Sequence, residues 1–102
     1  MPNPMQEMLA RAQRMQRVLA KAHEALAATE FKVSKAGIVD VVMMGDRTIK
    51  SINIDSDAFD PENKEMIEET IALAISEVLG QIDAAHDAIE ENVTGQKGGF
   101  GF

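Results

Sequence analysis

Residues 30–54 limit the possible fold more than any other stretch, because they predict three consecutive β-strands. The middle strand, residues 38–44, contains six apolar residues and one acid. Its β-branched residues suit a pleated surface and form helices poorly. In the strand before it, Phe31 and Val33 alternate with polar residues. A long helical pattern precedes this stretch and another follows it, so we predict an α+β fold of order α-β-β-β-α, with a three-stranded antiparallel sheet flanked by two long helices.

The dipeptide Gly45-Asp46 predicts a tight hairpin between the second and third strands. A two-residue turn that begins with glycine favours the type II′ geometry, since glycine adopts the required positive φ at little cost. This turn would place Val41 opposite Lys50. Apolar residues would then lie on both faces of the sheet, so we expect both faces to be covered. One face would present Val39, Val41, Met43, Ile52 and Ile54, and the other Ile38, Val42, Met44 and Ile49.

Residues 4–29 predict one long helix with an apolar side and a basic side. Pro4 suits the first turn, where a missing N–H costs little. Apolar residues recur with alternating spacings of three and four, as in a coiled coil. This apolar seam consists of Met5, Met8, Ala12, Met15, Leu19, Ala22 and Leu26, and Leu9 and Val18 widen it. On the other side lie Arg14, Arg17 and Lys21, with Arg11 next to the seam, and these four residues form a basic stripe.

Two interpretations of the basic stripe are open. Charged helix faces are often only solvated, but a row of cations can also contact phosphate groups. No acid lies between residues 8 and 23, whereas solvated helices usually mix signs at i,i+4. The uniform charge favours a phosphate-binding face.

Residues 61–92 predict a second long helix, with an acidic exposed side. Asp60 suits its N-cap and Pro61 its first turn. Phe59, just before the helix, is expected to fill the core. The core side of the helix consists of Ile67, Ile71, Ala74, Val78, Ile82, Ala85 and Ile89. The exposed side should repel DNA, because it presents Glu65, Glu68, Glu69, Glu77, Asp83, Asp87, Glu90 and Glu91.

The net charge of −7 is unevenly distributed along the chain. Residues 1–35 contain six basic residues against three acidic ones, a balance of +3, whereas the remainder contains four against fourteen, a balance of −10. An acidic total disfavours nucleic acid as a partner. A local basic face can still bind phosphate, since exposed charges are screened beyond about 8 Å in physiological salt.

Length and composition exclude several classes of protein. A chain of 102 residues suits one small domain, which we expect at residues 1–94, followed by a flexible glycine-rich tail at 95–102. There is no cysteine, hence no disulfide and no thiolate chemistry. Neither a secretory signal nor an apolar run of membrane-spanning length is present, so we expect a cytoplasmic protein that makes no membrane contact.

No catalytic constellation is present in the sequence. It lacks the common motifs for nucleotide binding, zinc hydrolysis and serine hydrolysis. His86, with Asp83, Asp87 and Glu90, has the spacing of possible metal ligands, but such spacing arises by chance on a helix with this many acids. His23 is expected on the surface. We therefore expect no catalytic residue, no metal, no cofactor and no small-molecule substrate.

The apolar seam of the first helix needs a partner, and so do the two apolar faces of the sheet. A symmetric homodimer would supply both.

The ordered combination of these features resembles the small bacterial nucleoid-associated proteins of the YbaB/EbfC family. The resemblance rests on the helix MQEMLARAQRMQRVLAKAHEAL, the sheet KAGIVDVVMMGDRTIKSINIDSDAF, and the helix opening DPENKEMIEETIALAISE with the glycine-rich tail after it. Together these segments span nearly the whole chain.

The resemblance implies a homodimer joined through the sheets, with the long helices projecting like the arms of tweezers. It implies a protein that binds double-stranded DNA with little sequence specificity and contributes to nucleoid organisation or transcription regulation, without catalysis or cofactor. Carried onto this chain, the DNA-binding residues would be Arg11, Arg14, Arg17, Lys21, Lys32 and Lys35.

The second helix departs from a DNA-binding pattern, because it has almost no basic residue after Lys64. DNA affinity would then be weak, restricted to the first helix, or dependent on a partner protein. The alternative function is a protein–protein adaptor of the same fold, which would use the acidic helix or the tail residues Phe100 and Phe102. Reversing the charge of the basic stripe would separate the two functions.

Overall fold

A computed structural model describes residues 3–94 and confirms the predicted α+β layout. Residues 95–102, where the tail was expected, lie outside the described part. Two short 3-10 turns, Ser56–Ala58 and Pro61–Asn63, connect the sheet to the second helix. The main elements are α1 (Pro4–Ala27), β1 (Glu30–Lys35), β2 (Val39–Met44), β3 (Ile49–Ile54) and α2 (Lys64–Thr94).

The three strands form an antiparallel sheet in the order β1-β2-β3, with the β-branched strand β2 at its centre. Helix α2 packs across β1 and β2. The contact between this helix and the sheet forms the hydrophobic core, because alternate residues of the strands point toward α2. The core consists of Val33, Val39, Val41, Met43, Ala74, Val78 and Ile82. The predicted core side of the second helix is therefore most completely buried near its middle.

The predicted pairing of β2 with β3 is wrong by two residues. Val41 pairs with Ile52 rather than with Lys50, and a bulge lies between Val42 and Met43. The bulge brings Ile49 opposite Met43, so Ile49 lies on the same face of the sheet as Met43. The prediction had placed Ile49 on the other face, with Val42 and Met44.

The turn itself explains the error in register. The Met44 carbonyl accepts from the Arg47 N–H at 2.8 Å, and the Met44 N–H donates to the Thr48 carbonyl at 2.8 Å. The positive φ of 70° lies at Arg47 and not at Gly45, so the connection is a three-residue loop with a left-handed last residue rather than a type II′ turn. Hydrogen bonds from the side chain and backbone of Thr48 lower the pKa of Asp46 and fix the loop.

Gly45 is required by close packing rather than by turn geometry. A β-carbon at this position would lie 1.8 Å from the carbonyl oxygen of Leu26, the buried residue near the end of α1. The Gly45 N–H donates to the Thr29 carbonyl at 2.9 Å. The hairpin turn and the end of α1 are therefore in direct backbone contact.

Helix α1 packs against α2 through only part of its apolar seam. Leu26 is buried and Leu19 is half-buried, whereas Met5 and Met8 are 68% and 67% exposed. At the first turn, the Asn3 side chain caps the helix by accepting from the Gln6 N–H at 2.7 Å. Within residues 3–94, the first turns of α1 thus have an apolar side that no other element covers.

Asp60 is an N-cap as predicted, but it caps the 3-10 turn Pro61–Asn63, and α2 itself begins at Lys64 rather than at residue 61. The Asp60 carboxylate accepts from the Glu62 N–H at 2.9 Å, and Pro61 begins the 3-10 turn that leads into α2. The predicted role of Phe59 is wrong. Phe59 is 69% exposed, and the small residue beside it, Ala58, is buried instead. The tight turn before Phe59 directs its ring outward, which the hydrophobicity of the residue could not indicate.

Substituting Gly45 and Gly80, two of the three glycines in the described residues, separates close packing from helix propensity. Gly45→Ala should lower the free energy of unfolding by about 1–3 kcal/mol or more, because the added methyl group overlaps the Leu26 carbonyl. Gly80→Ala is the matched control: no atom lies within 4 Å of its β-carbon position, so it should raise stability by about 0.5–1 kcal/mol. Urea denaturation followed by circular dichroism measures both. Equal effects of the two substitutions would contradict the contact.

Candidate nucleic-acid interface

The basic stripe lies on a solvent-exposed side of α1, and all four of its residues are exposed. Spacings of three, three and four keep their side chains on neighbouring turns of the helix. At a rise of 1.5 Å per residue, the row from Arg11 to Lys21 is about 15 Å long. The structure therefore brings the four predicted cations of α1 together in one continuous row.

The basic stripe differs from the other described cations in its lack of ion pairs. None of its four residues forms a salt bridge within residues 3–94. Outside the stripe, five basic residues pair with acids: Lys32 with Asp40, Lys35 with Glu77, Arg47 with Asp83, Lys50 with Glu30, and Lys64 with Glu68. In the described part of the chain, the stripe is therefore the cationic surface that has no carboxylate partner.

Lys32 and Lys35 lie on the sheet and not on the helix that holds the stripe. The Lys35 ammonium is 2.7 Å from a carboxylate oxygen of Glu77 on α2. The Lys32 ammonium is 4.0 Å from Asp40 and its side chain is 61% exposed. Of these two predicted site residues, Lys32 is thus more available to an anion than Lys35.

The prediction for His23 is wrong, because this residue lies between the two helices rather than freely on the surface. Its ring stacks on that of His86 with centroids 5.1 Å apart. Its Nε2 lies 3.2 Å from a carboxylate oxygen of Glu90. These contacts join α1 to the C-terminal half of α2 and set the position of the helix that presents the stripe.

The sequence contains a partial indication of this contact. His23 follows Ala22 of the apolar seam, and His86 and Glu90 are spaced by one turn of α2. Their contact depends on the relative axial position of α1 and α2, which the spacing of residues within one helix cannot show. Asp83, which had been grouped with His86, bonds instead to Arg47 at 2.6 Å. Within residues 3–94, no group of three His, Cys, Asp or Glu residues has a geometry suited to a metal ion.

No helix in the described range is both long and apolar enough to cross a membrane. The fold and the stripe together define a class of small α+β protein whose first helix presents an exposed row of cations.

Comparisons with known proteins agree with this class of protein and identify the family. A sequence profile of the YbaB/EbfC DNA-binding family matches residues 1–97. A nucleoid-associated protein of Metamycoplasma arthritidis is 40% identical over 83 residues, which cover 81% of this chain and 86% of that protein. One from Enterococcus faecalis is 34% identical over 97 residues, covering 94% and 93% of the two chains. The chain belongs to the YbaB/EbfC DNA-binding family, whose description names DNA binding and no reaction.

Alanine substitution of the stripe tests whether these cations contribute to the fold. Arg14→Ala and Arg17→Ala should each change the free energy of unfolding by less than about 0.5 kcal/mol, because neither side chain forms a described salt bridge. Ile82→Ala is the contrast: its side chain is fully buried, and its truncation should cost about 2–5 kcal/mol. Denaturant titration measures all three. A large loss in the arginine variants would assign the stripe a structural role.

Proposed function

We propose that this protein is a non-enzymatic nucleoid-associated protein of the bacterial cytoplasm, which binds double-stranded DNA as a homodimer and with little sequence specificity. Its role would be nucleoid organisation or transcription regulation. The observation that supports this best is the row of four exposed cations on α1, none of which has a described carboxylate partner. Membership in a DNA-binding family supports the same partner.

The chemistry of the basic stripe suits the phosphate backbone. Arginine and lysine side chains are long donors that reach phosphate oxygens, and each contact displaces counterions from DNA. Phosphate contacts fix position on the duplex but do not read sequence. Four contacts per subunit, eight per dimer, set an upper limit of about −7 on the slope of log affinity against log salt.

The acids of α2 restrict how DNA can approach. Those on its exposed side would repel phosphate at short range, while their effect on the stripe fades beyond about 8 Å in physiological salt. The two helices therefore have different roles: α1 binds DNA, and α2 holds α1 in place on the sheet.

The third strand supports a homodimer joined through the sheets. Helix α2 covers β1 and β2, whereas Ile49 and Ile52 of the edge strand β3 are 45% and 41% exposed. An apolar edge strand with free backbone groups is a template for pairing with another chain. A second copy that placed its own β3 on this edge would satisfy the backbone and cover both isoleucines.

A charge-reversal pair tests DNA binding. Arg14→Glu with Arg17→Glu should weaken binding to mixed-sequence duplex DNA on the order of tenfold or more at low salt. In a dimer it should reduce the salt slope by about 4, one for each lost contact. Fluorescence anisotropy at several salt concentrations measures both quantities.

The matched control is Arg47→Glu with Lys64→Glu, which changes the net charge equally but alters two residues already paired with acids. It should bind DNA much as the unaltered protein does. Equal losses in both variants would mean that overall charge governs binding and not the stripe. Undetectable binding by the unaltered protein at low salt would favour the adaptor function.

An edge-strand substitution tests the dimer. Ile52→Glu places a charge on the exposed edge and should convert a dimer at micromolar concentration into a monomer. Leu73→Glu is the matched control, because Leu73 is an exposed apolar residue (61%) on α2 and away from that edge. Analytical ultracentrifugation distinguishes the states. A monomer in the unaltered protein, or a monomer caused only by the Leu73 change, would overturn the sheet-edge dimer.

A further inference from the structure

The N-terminal half of α1 has an apolar side that nothing in residues 3–94 covers. Met5 and Met8 are about two-thirds exposed, and their neighbour Leu9 is 59% exposed. Further along the same side of the helix, Met15 is 37% exposed, whereas Val18 lies half a turn around the helix from Leu9. Single exposed apolar residues are ordinary, but a contiguous row on a projecting helix indicates a surface with an occupant.

The end of α2 lies beside this row. Asn92 and Val93 border a hollow of about 440 Å³, and its opposite wall is formed by α1. The α1 residues of that wall are Arg11, Arg14, Met15 and Val18. A hollow of this volume is large enough to accept an aromatic side chain, and it opens where the chain leaves α2.

The chain continues from this point with GQKGGFGF, residues 95–102. A fully extended residue spans about 3.3–3.6 Å, so Phe100, six positions after Thr94, can lie up to about 20 Å away. Met5 and Met15 are ten positions apart, which corresponds to about 15 Å of helix. Both phenylalanines of this segment are therefore within reach of the whole uncovered row.

We propose that the apolar side of α1 is a docking surface for the chain's own residues 95–102, with Phe100 and Phe102 packed against the methionines of the apolar seam. Aromatic rings and thioether sulfurs attract each other when in contact. Docking would also bring Lys97 close to the basic stripe and add a cation to it. The family profile ends at residue 97, so the two phenylalanines are additional to the matched region.

Methionine oxidation tests the proposal directly, because the seam contains its own reporters. The full chain and a Phe100→Ser, Phe102→Ser variant are exposed to hydrogen peroxide without DNA, and peptide mass spectrometry gives the rate at each methionine. Loss of the phenylalanines should raise the rates at Met5, Met8 and Met15 by about threefold or more, since oxidation follows exposure. Exposed Met66 and buried Met43 should keep their rates.

A chain ending at Thr94 should show the same increase, and in both variants the rates should be independent of protein concentration. Unchanged rates at the seam methionines would overturn the proposal. Rates that fall in the truncated chain as its concentration rises would assign the surface to a second copy and also overturn it. A changed oxidation rate at Met43 would mean that the substitution had altered the fold. The proposal would then stand only if the serine variant and the truncated chain gave the same oxidation rates at Met5 and Met8 relative to Met66.

Discussion

The packing of α2 across β1 and β2 is the contact on which the rest of the structure depends. Val39, Val41, Val78 and Ile82 have essentially no exposed surface, and burial of such side chains stabilises a fold by about 1.5–3 kcal/mol each. This contact fixes the direction of α2. Because α1 packs along α2 through its C-terminal half, the orientation of the basic stripe follows from the same core, although the stripe itself contributes nothing to it.

Two smaller contacts fix the position of α1 relative to that core. Near the C-terminal end of α1, the ring of His23 stacks on His86 of α2. Three residues further along α1, Gly45 brings the hairpin turn against the Leu26 carbonyl. The two contacts fix the last turns of α1 against two different elements, α2 and the hairpin. The hairpin thus helps to position the basic stripe without contributing a residue to it.

Much of this arrangement could be predicted from the sequence, for reasons that are local. Periodicity located both helices, β-branched residues located β2, and Asp60-Pro61 located the 3-10 turn that leads into the second helix. The register of β3 could not be predicted, since it depends on hydrogen bonds around Met44 and on one backbone angle at Arg47. The outward direction of Phe59 and the contact of His23 also depend on how separate elements meet. The basic stripe was visible as a pattern, but its lack of ion pairs within residues 3–94 was not.

The stripe has no ion pair within residues 3–94, whereas the other described lysines and arginines do. This difference affects the free energy of exchanging one bound anion for another. For Lys35 to bind a phosphate, it must first give up Glu77, so one charge contact replaces another and the net gain is small. A polyanion that meets the stripe breaks no described ion pair of the protein. Under the proposed function, the stripe would therefore exchange one phosphate for the next at nearly constant energy, which is the condition for a protein to move along a duplex while remaining bound to it.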